Sequence, residues 1–267
     1  MELARDARRT ILCCLLVLCT CAAKSAAQSR DAQEPDANPA RPTVSTPATL
    51  TPVGYLQFET GGLTAENSPE FSGRISLQQV IKLTVHPRLQ LLLQSEPVVW
   101  SRTNGQGAFQ TGGVAAGVQV VLLPGADHRP TVSASYLRSA YSGPAPDIDI
   151  GSAVQSATIL VSGDVLGFHF DANGIANEQE EGVLRRAQWG QTLSVSHPLK
   201  MVTISGEIWH FSQPLLRGNT VGNLWAVSYA ARKNLVFDAA FNHGFNATST
   251  RTVILFGFTY LLPHRLW

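Results

Sequence analysis

Residues 114–141, VAAGVQVVLLPGADHRPTVSASYLRSAY, read as one complete β-hairpin. Val114, Ala116, Val118, Val120 and Leu122 alternate with Ala115, Gly117 and Gln119, so the run has one large apolar face and one small or polar face. Pro124 to Pro130 supplies a tight turn, and a second strand follows over about 131–141. The same unit recurs in both directions along the chain. Upstream, Leu56 and Phe58 oppose Gln57 and Glu59. Ile75, Leu77 and Ile81 mark a second strand, and Leu89, Leu91 and Leu93 oppose Gln90 and Gln94 in a third. Downstream, candidate strands cover 152–161, 167–176, 187–196, 200–211, 222–231, 234–244 and 251–262. The sum is about twelve strands of ~10 residues, the length that crosses an outer membrane when tilted.

The connections alternate. Tight ones fall at His86-Pro87, Pro124 to Pro130, Ser162-Gly163-Asp164, His197-Pro198 and Arg232-Lys233-Asn234. Longer ones, among them 96–110, 142–151 and 177–186, lie between them. Short turns on one side and long loops on the other predict an all-β, transmembrane, antiparallel up-and-down barrel with periplasmic turns and extracellular loops. Alternation alone is equally compatible with a soluble sandwich or lipocalin-like barrel. Two features favour lipid. The apolar faces are too many for the core of one soluble barrel, and aromatics cluster near strand ends (Tyr55, Trp100, Tyr141, Trp189, Trp209, Trp225, Tyr260) as interfacial girdles do.

The chain has 267 residues, a formal charge of +1 and 44% hydrophobic residues, figures that point to neither disorder nor nucleic-acid binding. Its N-terminus reads as a secretory signal over 1–27. Arg5, Arg8 and Arg9 precede the uncharged run from Thr10 to Ala23, and Ser25-Ala26-Ala27 offers cleavage before Gln28. All four cysteines (Cys13, Cys14, Cys19, Cys21) fall inside it, so the exported chain has no disulfide or thiol chemistry. Cleavage removes four Lys/Arg and two Asp/Glu, leaving a charge of about −1. Residues 28–50, polar and proline-rich, are expected to form a flexible periplasmic leader, and 51–267 the outer-membrane barrel. Gly257, Tyr260 and Leu262 have the spacing of a C-terminal signal for the barrel-assembly machinery, although the chain continues through Pro263 to Trp267. The expected surroundings are outer-membrane lipid.

Several stretches together resemble one known group. Thr51 to Gly61 (TPVGYLQFETG) is similar to the opening strand of the outer-membrane transporters named for a MetA pathway of phenol degradation, and Gly167 to Gly174 (GFHFDANG) to their central hairpin. Ser205-Gly206-Glu207, Asn234 to Ala240 (NLVFDAA) and Gly257-Phe258-Thr259-Tyr260 continue the resemblance over about 51–262. It implies a barrel that moves small, often hydrophobic or aromatic compounds.

Charges within strands need a lumen or an interface, because a lipid-facing Lys or Arg at mid-depth costs about 2–4 kcal/mol. Glu59, Lys82, Arg138, Glu207 and Asp238 are such charges, and Asp171 alternates with Phe168 and Phe170. Glu59, His169, Asp171, Asn173, Glu207 and Asp238 are therefore the candidate lumen residues for a small-molecule substrate. They line either a polar pore or a plug of mutually hydrogen-bonded groups. His210-Phe211-Ser212 places His and Ser on one strand face, which Ile204 and Ile208 mark as the lipid side. That spacing resembles outer-membrane acyl hydrolases, but no third member is identifiable. No catalytic residue is assigned. The scattered histidines lack ligand spacing, no phosphate loop is present, and no cofactor or metal is expected. The alternative to a channel is a non-conducting structural or adhesive barrel.

Overall fold

The computed structural model describes residues 35–126, 129–149, 153–181, 183–212 and 218–267. The expected signal peptide, 1–27, lies outside the described residues, as does the start of the expected leader. Thirteen strands follow in sequence: β1 (Leu56–Glu66), β2 (Gly73–His86), β3 (Leu89–Thr103), β4 (Gln106–Gln110), β5 (Val114–Leu123), β6 (Thr131–Tyr141) and β7 (Ala153–Val165). They continue with β8 (Phe168–Glu181), β9 (Leu184–Leu199), β10 (Val202–Phe211), β11 (Thr220–Arg232), β12 (Leu235–Gly244) and β13 (Thr252–Leu261). Each barrel strand pairs antiparallel with its sequence neighbours, and β1 pairs with β13 from Gln57↔Leu261 to Glu66↔Thr252, which closes the sheet. β4 pairs only with β3, as a hairpin continuing above the ring. The ring itself is the other twelve strands.

Which face is wet decides what kind of barrel this is. Outward positions carry large apolar side chains left exposed: Ile208 (60%), Trp225 (61%) and Phe256 (60%) among them. Inward positions carry the buried polar side chains, including Gln57, Glu59, Gln119 and Gln188 at 0–1%. A soluble barrel has the opposite polarity; an apolar exterior around a polar interior is the outer-membrane barrel. Period-2 geometry makes this possible without disturbing a single backbone hydrogen bond.

Both legible ends of the barrel sit at the rim of short turns, the periplasmic rim in such folds. Two of those turns fall elsewhere than expected. Ser162-Gly163-Asp164 lies inside β7, paired with Asp171 to His169, and the chain reverses at Leu166-Gly167. Both have positive φ (52° and 82°), as a two-residue hairpin turn twisted with its strands requires. His197-Pro198 likewise lies inside β9, opposite Ile204 and Thr203, with the turn at Lys200-Met201. β8 pairs with β9 only as far as Ser196, so Pro198 has a free edge on that side and the missing N–H is tolerated. On the other rim, 177–186 is strand rather than loop, because β8 and β9 continue to Glu181 and from Leu184. Within 96–110, β3 extends to Thr103 and folds back through β4.

Candidate functional site

The lumen is divided lengthwise. Near the periplasmic rim its wall is polar: Gln57 and Glu59 on β1, Gln90 on β3, Gln119 on β5, Asn173 on β8 and Glu207 on β10. Towards the long-loop rim the wall is mixed: Leu63 follows Glu59 on β1 and Trp209 and Phe211 follow Glu207 on β10, while Arg74, Ser76, Asn177, Gln188 and Asn242 keep polar groups inside.

The polar half is occupied by the chain's own N-terminal segment. Residues 35–50 form no helix or strand and are not a free leader; they enter at the periplasmic rim, rise to mid-depth and return. Ala37 N donates to Lys233 O (2.8 Å) on the β11–β12 turn, and Gly54 N donates to Thr84 O (2.8 Å) near the end of β2, so both legs leave through the same rim. Between them the wall captures the backbone residue by residue. Asn38 N donates to Gln57 Oε1 and Gln57 Nε2 donates back to Asn38 O, both at 2.8 Å. Ala40 N donates to Glu59 (3.2 Å). Glu207 accepts from Val44 N (2.8 Å), Ser45 N (2.6 Å) and Ser45 Oγ (2.5 Å). Asn173 accepts from Thr46 N (2.6 Å) and donates to Thr46 O (2.9 Å). Ala48 N donates to Ser162 Oγ (2.6 Å), whose own proton goes to Asp171 Oδ1 (2.5 Å). Gln119 Nε2 donates to Pro47 O (3.0 Å), and Thr51 N donates to Gln90 Oε1 (3.0 Å). A segment buried away from water must have its backbone groups paired, and here side chains do what a neighbouring strand would do.

Two ion pairs frame the segment. Glu59 is paired with Lys82, both side chains buried. Arg41 reaches towards Asp238, with Nε 3.7 Å from Oδ1, and its Nη1 donates to Gln78 Oε1 at 3.4 Å. The guanidinium fits because Gly61 and Gly257, opposite each other on β1 and β13, present no side chain there; a Cβ on either would collide with it.

Above the segment is a cavity of about 570 Å³. Its floor includes Ala40 to Val44, and its walls include Leu63, Leu92, Trp209, Phe211, Leu224 and Val253. Polar groups share the lining, with Arg41, Glu59, Lys82, Glu96 and Asp149 reaching it besides several amides. Asn242 accepts from Trp209 Nε1 (2.9 Å), and Asn177 Nδ2 donates to Gln188 Oε1 (2.8 Å). Residues 147–149, after β6, reach across the mouth. Ile148 packs against Leu63, Ala65, Phe71 and Val253 on the opposite wall, and Asp149 Oδ1 accepts from Thr250 N (2.6 Å). A cavity of this size, with an apolar stretch of wall and polar groups converging on it, has the character of a small-molecule site.

The six lumen candidates lie at inward positions of their strands, but they do not gather at one point. Glu59, Asn173 and Glu207 are engaged with the N-terminal segment, Asp238 with Arg41. His169 and Asp171 sit nearer the periplasmic rim, where His169 Nδ1 is 2.9 Å from Asp164 Oδ1 and Nε2 is 3.4 Å from Asp171 Oδ1. Arg138 is exposed on the outward face of β6, three residues from its extracellular end, at the interface rather than mid-depth. Trp209 is not a girdle residue: it is buried in the cavity wall. His210 does have an amide beside it, Nδ1 lying 2.9 Å from Gln191 Oε1 on β9. Ser212 Oγ, however, accepts from Trp189 N (2.8 Å), and no hydrogen bond joins His210 to Ser212.

No protein-family model matches the chain, and no curated protein does. The resemblance to the MetA-pathway transporters therefore rests on the residues quoted for it. Solved structures do match in fold. An outer membrane channel from Pseudomonas putida F1 superposes with a TM-score of 0.57 at 11% identity, covering 80% of this chain and 98% of that one. The KdgM porin gives 0.53 at 11% identity, covering 76% and 98%. KdgM in complex with disordered oligogalacturonate gives 0.51 at the same identity and coverage.

Proposed function

We propose that this chain is an outer-membrane channel for small molecules with an apolar or aromatic part, taken up by passive or facilitated diffusion. The observation that carries the reading is the cavity of about 570 Å³ within the barrel, one stretch of whose wall is apolar. A general pore for hydrated solutes would keep a polar wall throughout; here Leu63, Trp209, Phe211 and Leu224 give the wall facing the long-loop side an affinity for apolar surface worth roughly 25 cal/mol per Å² buried. The fold similarity to solved outer-membrane channels supports the channel part of the reading, and the MetA-pathway resemblance its apolar or aromatic part. From Glu59 at the cavity's lower edge, Asn173, Glu207 and Asp238, then His169 and Asp171, form the polar path to the periplasm that a solute meets once residues 38–51 are out of the way.

The test is uptake into proteoliposomes of small solutes matched in size, one aromatic and one fully hydroxylated. The channel predicts faster entry of the aromatic solute, and a preference reduced several-fold by Phe211→Asp in a barrel that still inserts. Equal exclusion of both, from a chain also lacking residues 38–51, would leave a non-conducting structural barrel as the reading.

A further inference from the structure

We propose that the polar half of the lumen is a peptide-binding track, that its resident ligand is this chain's own segment 38–51, and that conduction requires the segment's release. The inference builds on the channel reading above. Seven backbone N–H groups of the segment, those of residues 38, 40, 44, 45, 46, 48 and 51, are donated to side chains of the barrel wall. Gln57 and Asn173 each hold both the N–H and the C=O of one residue, the pairing a β-strand would offer. Pro39, Pro42 and Pro47 supply no N–H and so leave no donor to be satisfied at their positions. The recognition is mainly of backbone, with Glu207 as the centre: two backbone N–H groups and the Ser45 hydroxyl converge on one carboxylate.

The attachment is also removable. None of residues 38–51 belongs to a barrel strand, so their departure costs no interstrand pairing. Both legs leave at the periplasmic rim, which lets the segment withdraw as a loop without threading the barrel. At its crown the hold is loose: Arg41 Nε stands 3.7 Å from Asp238, and neither carboxylate oxygen of Asp238 has a hydrogen-bond partner. Ala40 to Val44 form the cavity floor, so the segment separates the cavity from the polar path below it.

Ser45 Oγ and Thr192 Oγ1 are 2.8 Å apart, and the exported chain is expected to carry no cysteine, so Ser45→Cys with Thr192→Cys gives a single cross-link from segment to wall. The experiment compares single-channel currents of this double variant oxidised and reduced, of a chain lacking 38–51, and of that shortened chain with a synthetic 38–51 peptide added on the periplasmic side. The expected result is an open probability at least tenfold lower oxidised than reduced. The peptide should block the shortened chain reversibly, with the block weakened tenfold or more by Glu207→Ala. Equal currents oxidised and reduced overturn the proposal. So does a conducting shortened chain that the peptide fails to block, and this decides the case if the double variant is silent in both states. Silence of every variant, with insertion verified by heat-modifiable migration, removes the channel reading itself.

Discussion

Gly61 faces Gly257 across the β1–β13 pairing, and Arg41 lies over both. Arg41→Ala is expected to remove the guanidinium and loosen the segment while the barrel persists. Hydrogen exchange at the amides of Val44, Ser45 and Thr46 should then quicken at least tenfold, with the amides of β1 and β13 unchanged; equal protection in variant and parent would contradict it. On the other face of the wall, Ile208 is 60% exposed on β10. Ile208→Arg puts a charge into hydrocarbon and should destabilise the barrel by about 2–4 kcal/mol, read from the urea midpoint of refolding into lipid. These faces were legible in advance, since period 2 fixes Glu59, Asn173 and Glu207 inward and Ile204 and Ile208 outward. What the inward groups bind was not. A segment such as 38–51, held by wall side chains through its backbone, leaves no apolar periodicity in the sequence. The available signal was the surplus of amide and carboxylate groups on inward faces, more than a narrow barrel can pair among themselves.

At the scale of elements, the twelve barrel strands were readable and their turns only partly so. Ser162-Gly163-Asp164 and His197-Pro198 have turn composition, yet cross-strand pairing carries the strands past both. The β7–β8 reversal uses Leu166, a poor residue for φ = 52°, exposed at the tip with no packing to lose. Asn tolerates that conformation, so Leu166→Asn is expected to stabilise the barrel by up to about 1 kcal/mol, measured as a raised urea midpoint. A lowered midpoint would mean that Leu166 contributes contacts to membrane or neighbour that its exposure does not suggest. The 177–186 stretch was misread for a related reason: its Asn, Gln and Glu residues look like loop, but Asn177 and Gln179 are buried and face inward, and Glu178 meets Arg185 on the neighbouring strand.

Across the whole molecule, the proposed function rests on the lumen's arrangement: a cavity with an apolar stretch of wall above, a polar track below, the chain's own segment between them. Ile148 and Asp149 anchor across the outer mouth, so the cavity lies between this contact and residues 40–44. The central claim is that this cavity binds small apolar or aromatic solutes on their way through. It is tested most directly by single-channel recording of the refolded chain in a planar bilayer, with an aromatic solute titrated on the long-loop side. The account predicts discrete conductance steps interrupted by solute-dependent blockages, shortened several-fold by Trp209→Ala or Phe211→Ala. Steps that no aromatic solute perturbs, or a well-inserted barrel that never conducts even without residues 38–51, would contradict it.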